Sequence, residues 1–167
     1  LQLDGCIFIN FNPRLLDLGS SSLDRTIRAT LESGLGPERF VFEVVESDQI
    51  DDRMQLLKIL DLFREAGCRV ALDDVGAGYN SLHLLTEVKP DFVKLDMELI
   101  RGVHKDIYKS CVARKLLELS RELGVLTVAE GVESMGAEFD LWHLGAMVAG
   151  SFGCSTPVAW AGTPSRL

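Results

Sequence analysis

Six short apolar runs, rich in β-branched residues, recur along the chain with longer, helix-periodic stretches between them. The runs are Cys6 to Phe11, Phe40 to Val45, Arg69 to Asp74, Phe92 to Met97, Leu126 to Glu130 and Met147 to Phe152. Their nearly continuous apolar character predicts strands buried on both faces, as in parallel sheets. Between them, apolar residues spaced by three and four predict helices over Gln55 to Glu65 and Tyr108 to Leu123, and a weaker one over Leu23 to Ser33. Gly67 and Gly124 stand just past the first two, where a helix C-cap favours the left-handed conformation that glycine adopts freely. Gly34 and Gly36 are expected to serve the third in the same way, ahead of Pro37.

Alternating strands and helices imply an α/β fold of parallel βαβ units. Six units suit either a doubly wound sheet or part of an eight-unit (β/α) barrel. A dinucleotide-binding sheet requires GxGxxG after its first strand. Here that strand runs into Asn10-Phe11-Asn12-Pro13, and the glycine-rich turn at Gly76 to Gly78 comes later without a third glycine. At 167 residues the chain reads as one domain.

Composition narrows the chemistry. A net charge of -8 argues against a broad nucleic-acid surface, DNA included, because such surfaces concentrate Lys and Arg. No apolar run is long enough for a membrane helix, and no basic-then-apolar leader opens the chain, so a cytoplasmic setting is expected. Cys6, Cys68, Cys111 and Cys154 lack metal-ligand spacing and are read as reduced core thiols. His83, His104 and His143 are scattered and are read as surface or packing residues.

The informative pattern is polar. Asn10 ends the first strand, Glu43 lies near the end of the second, Asp73 and Asp74 end the third, Lys94 and Asp96 occupy the fourth, and Glu130 ends the fifth. The C-terminal strand ends are where barrels and open α/β sheets place ligand sites. One such acid would ordinarily cap a helix or pair with a base. Five consecutive strand ends carrying oxygen ligands or charge call for cations, since unpaired buried carboxylates are costly. Oxygen donors suit Mg²⁺ or Mn²⁺, and the adjacent Asp73 and Asp74 could share two ions placed for phosphodiester hydrolysis. Lys94 reads either as a group that orients the nucleophile or as a salt bridge to one of these acids.

Five motifs in order give this pattern a resemblance to the EAL-type cyclic di-GMP phosphodiesterase family. Leu72 to Leu82, LDDVGAGYNSL, is similar to the family's DDFGTGYSSL, and Phe42 to Ser47, FEVVES, to LEITES. Phe92 to Asp96 resembles IKID, Ala129 to Ser134 resembles AEGVET, and Ile9 to Pro13 resembles VNLSP. The resemblance implies a TIM-like (β/α) barrel, of which residues 1–167 carry about six of eight units. It also implies two-metal hydrolysis of cyclic di-GMP to linear pGpG, with Mg²⁺ or Mn²⁺ held by Asn10, Glu43, Asp73, Asp74 and Glu130. Lys94 and Glu130 would act in catalysis, and Asp96, Phe152 and Pro157 would face substrate, although an apolar residue such as Phe152 near a barrel's last strand also reads as core. Glu46 would hold the loop Val75 to Asn80, through which a homodimer forms, or else reads as an ordinary acid at a helix N-terminus, while Glu133 reads as a substrate contact or a salt bridge.

Two departures qualify the expectation. The family's Glu-Ala-Leu strand, which supplies a further metal-binding glutamate, precedes the Asn10 strand and is not in this sequence. The family's Gln-Gly-Tyr stretch falls on Gly150-Ser151-Phe152 or on Ala149-Gly150-Ser151, neither of which contains glutamine. Sensory or cyclase domains upstream fit a fragment of a longer protein. A catalytically weak receptor for cyclic di-GMP, or an interaction and dimerisation module, is the alternative.

Overall fold

The computed structural model describes residues 5–11, 20–45, 53–76, 81–130 and 147–148. Six parallel strands form one sheet in strict sequence order. They are β1 (Ile7–Asn10), β2 (Phe40–Val45), β3 (Arg69–Val75), β4 (Phe92–Leu95), β5 (Leu126–Ala129) and β6 (Met147–Val148). The helices are α1 (Ser20–Glu32), α2 (Arg53–Glu65), α3 (Ser81–Val88), α4 (Met97–Ile100) and α5 (Ile107–Leu123). A doubly wound sheet reverses its strand order at a switch point, and this one does not. Winding in one direction gathers the crossover helices on one face, which makes the sheet an arc of a (β/α) barrel.

Strand alternation divides the side chains between two environments. Phe42, Val44, Val70, Leu72, Val93, Leu95 and Ala129 are buried with Leu56, Leu60, Phe63, Leu84, Ala113 and Leu117 of the helices. Phe63 stacks on Phe42 with centroids 3.7 Å apart and meets Phe11 edge-on at 5.4 Å. On the other face, Val41, Ala71, Phe92 and Val128 form a separate buried layer, joined by Phe8. Two residues further along each of these strands come Asn10, Glu43, Asp73, Lys94 and, just beyond β5, Glu130. The period that buries the inner layer thus delivers the polar set to the same face, one step nearer the C-terminal rim.

The strand starts match expectation closely; β2 ends at Val45 as expected, β3 runs one residue past Asp74, and β1, β4 and β5 end short. β4 stops at Leu95 because Asp96 turns away to cap α4, its Oδ1 accepting from the Glu98 N–H at 2.8 Å and the Leu99 N–H at 3.2 Å. β5 stops at Ala129, and residues 149–152 of the expected sixth strand lie outside the described residues. Gly34, Gly67 and Gly124 have φ of +77°, +86° and +72°, whereas Gly36 is extended at φ -61° and leads into Pro37 without acting as a left-handed cap. Cys68 is buried, but Cys111 is exposed on α5 and so is not the core thiol expected; Cys154 lies outside the described residues. His83 and His104 are exposed, and His83 pairs with Glu87 at 3.2 Å, while His143 falls outside. Among the described residues no helix is long and apolar enough to cross a membrane.

The Phe42–Phe63 stack is the centre of the helix-facing core. Phe63→Ala is expected to lower unfolding free energy by about 3–5 kcal/mol, measured by urea denaturation, because a cavity opens where two other rings cannot collapse.

Candidate acidic site at the C-terminal rim

Four strands converge on one ammonium group. Lys94 Nζ lies 2.7 Å from Glu43 Oε1 of β2, 2.9 Å from Asp73 Oδ2 of β3 and 3.1 Å from Glu130 Oε1 after β5. The Lys94 and Glu43 side chains are about equally buried, at 7% and 6% exposed, while Glu130 opens to solvent at 46%. Burial alone would favour loss of the Lys94 proton; the contacts with Glu43, Asp73 and Glu130 outweigh it and hold the ammonium well above the ordinary lysine range. The salt-bridge reading of Lys94 is therefore met three times over.

The carboxylates are not equally content. Glu43 Oε1 is buried and, though close to Nζ, lies off the direction of a hydrogen bond, so it remains unpaired in that sense. Burial pushes the Glu43 carboxyl up from the usual range, against the lowering effect of Lys94, and Asp73 and Glu130 add to the rise. An under-satisfied buried oxygen amid further acids is chemistry that a hard cation completes.

Asp73 and Asp74 are adjacent, and in a regular strand they would face opposite sides. The register of β3 against β4 slips between Leu72 and Val75, which marks a bulge at the two aspartates. Asp74 takes a left-handed φ of +57°, and its N–H donates to Asp73 Oδ1 at 2.9 Å. Burial raises the Asp74 pKa, and Asp73 and Asp96 raise it further. Two residues on, Gly76 has φ +110°, and a Cβ there would stand 3.1 Å from Leu99 Cδ2 of α4. The turn after the paired acids thus needs a glycine for both conformation and space.

Asn10, exposed at the end of β1, has Glu43 as its Cα partner across the ladder, at the edge of this group. Asp96 is engaged as a helix cap, while its charge still reaches Asp74. Glu46, Glu133, Phe152 and Pro157 lie outside the described residues, as does the loop from Ala77 to Asn80. Among the described residues no three His, Cys, Asp or Glu side chains already stand in a metal-holding arrangement; Glu43, Asp73 and Glu130 stand around Lys94. Their donor set nonetheless fits a divalent ion. The sequence did not disclose the bulge at Asp73-Asp74; the only signal was two acids in succession inside an apolar strand.

The profile of the EAL domain family matches residues 2–152. The chain is 34% identical over 158 residues to cyclic di-GMP phosphodiesterase RocR of Pseudomonas aeruginosa, which covers 94% of this chain and 40% of that protein. Among solved structures it resembles Klebsiella pneumoniae BlrP1 in a pH 6 manganese and cyclic di-GMP complex, with a TM-score of 0.79, 34% identity, and coverage of 87% of this chain and 37% of that one. A calcium and cyclic di-GMP complex of BlrP1 gives a TM-score of 0.76 at 34% identity, over 84% of this chain and 36% of that one. The chain therefore spans less than half the length of these relatives.

At neutral pH the ionised Asp74 carboxylate destabilises the fold, because its folded pKa stands above the ordinary 3.8. Asp74→Asn retains a residue that tolerates the left-handed region and removes that charge. In chelator at pH 7 it is expected to be at least as stable as wild type to urea. The advantage should fade as pH falls through the shifted pKa toward 3.8, where wild type is protonated too. Asp74→Val, which must bear a β-branched side chain in the left-handed region, should lose about 1–2 kcal/mol.

Proposed function

The chain belongs to the EAL domain family, and from that premise we propose that it is the larger part of a phosphodiesterase domain hydrolysing cyclic di-GMP to linear pGpG. The observation that carries this reading is the convergence of Glu43, Asp73 and Glu130, with Asp74 beside them, at one strand-end site. Asn10, Glu43, Asp73, Asp74 and Glu130 would hold two Mg²⁺ or Mn²⁺ ions. Bound ions of this kind supply Lewis-acid polarisation of a phosphoryl oxygen and an acidified water.

The protein's own groups have distinct parts in this reading. Lys94 keeps a positive charge where a phosphodiester gains negative charge in the transition state. Glu130, the most solvent-open of the three carboxylates on Lys94, is suited to exchange a proton with the attacking water. Asp96, by capping α4, holds the rim beside Asp74, and Phe152 and Pro157 would meet the substrate's bases. Glu46 would restrain the Val75 to Asn80 loop, through which two copies would pair in the cytoplasm, with sensory or cyclase domains upstream. Residues 1–167 would then form an EAL-type domain without the Glu-Ala-Leu strand.

A receptor reading draws on one sequence feature, the lack of glutamine in either register of the last strand. Incubation of the purified chain with Mn²⁺ and cyclic di-GMP separates the two. Linear pGpG is expected to accumulate with wild type and to fall at least about a hundredfold with Asp73→Asn, the scale on which loss of charge stabilisation acts. Tight binding of cyclic di-GMP in EDTA, without turnover once Mn²⁺ is restored, would instead establish the receptor.

A further inference from the structure

Lys94 occupies the position in which its ammonium and a divalent ion would claim the same oxygens. Nζ is within 3.1 Å of three carboxylates drawn from three different strand ends, Glu43, Asp73 and Glu130. The ammonium is thus in ion-pair contact with three acids at once, and its hydrogen bond to Asp73 Oδ2 is 2.9 Å. All three acids also belong to the set that would ligate metal under the function proposed above, so this inference rests on that reading. A buried lysine with one acidic neighbour would be an ordinary ion pair. A buried lysine gripped by most of a ligand set stands in competition with what the set binds.

We infer that Lys94 acts as a tethered cation competing with the divalent ion for Glu43 and Asp73, so that metal uptake requires the ammonium to withdraw from those two oxygens. Two consequences follow from charge alone. The ammonium offsets one of the negative charges that attract a divalent ion, which weakens metal affinity. It also keeps the acids gathered, since without a cation among them like charges at this spacing repel. Metal entry exchanges one holder of the ring for another and leaves Lys94 displaced toward Glu130, the open side of the site. Lys94 is in this respect a positioning residue that sets the affinity of the centre, beyond any contact it makes with substrate.

Mn²⁺ binding measured by calorimetry without nucleotide tests the inference. Lys94→Met keeps an unbranched side chain, one heavy atom shorter, and removes its charge; its Mn²⁺ dissociation constant is expected to be about tenfold lower than wild type. Lys94→Arg keeps the charge and should show no such tightening. Equal or weaker Mn²⁺ binding by Lys94→Met, with wild type binding normally and both folded by circular dichroism, would overturn the competition while leaving the metal site standing. Failure of wild type and Lys94→Met alike to bind Mn²⁺ would remove the metal-site reading itself. Should Lys94→Met not fold, the ¹⁵N resonance of the Lys94 ammonium in wild type decides. Titration with Mg²⁺ is expected to shift it and to strip its protection from solvent exchange. A resonance unchanged at Mg²⁺ saturation overturns the inference.

Discussion

A buried ammonium with three carboxylates around it is stable only as a set. Any one acid left without the cation would meet the others' charge in a poorly solvated pocket, and the cation left without them would lose its proton or its place. Removing Lys94, Glu43 or Asp73 from such an arrangement typically costs about 3–5 kcal/mol, because the remainder is stranded, whereas Glu130, open to solvent, contributes far less. The set is assembled from residues 43, 73, 94 and 130, so β2 through β5 must hold their mutual register for it to exist. Fold and site are in this sense one constraint, expressed once in apolar packing and once in charge.

The sheet meets the constraint with a two-residue rule. Val41, Ala71, Phe92 and Val128 are buried in the inner layer, and the residue two steps on from each is Glu43, Asp73, Lys94 or Glu130. Any register that buries the first group presents the second to the same face. Asp74 obtains its place differently, by a bulge and a left-handed φ, and Gly76 then supplies the turn against Leu99. Regular geometry therefore positions most of the charge, while one local irregularity adds the second aspartate.

Much of this was legible in the amino-acid order. The strand starts, the long helices α2 and α5 and the polar strand ends follow from periodicity and from where acids interrupt apolar runs. The strand ends were less legible, since Asp96 continues an apolar run in sequence yet caps a helix in space. The short helices α3 and α4 escaped because Ser81–Val88 and Met97–Ile100 are too brief for a helical period to stand out. For Lys94 the sequence left a salt bridge and a catalytic role open. Charge order along a chain cannot distinguish one acidic partner from three, and the three become visible only when parallel strands set them side by side.

Sequential strand order also gives the site a schedule. Each strand pairs with its neighbours in the chain, so each docking step closes one strand–helix–strand crossover rather than spanning the sheet. During synthesis from the N-terminus, β2 and β3 can pair before β4 has emerged. In a β2–β3 pair formed that early, Glu43 and Asp73 would share one face with no lysine between them. Emergence of Lys94 would then offset their mutual repulsion and make docking of β4 electrostatically favourable as well as apolar. The residue that sits at the centre of the finished site would thereby also be the latch that closes the nascent one.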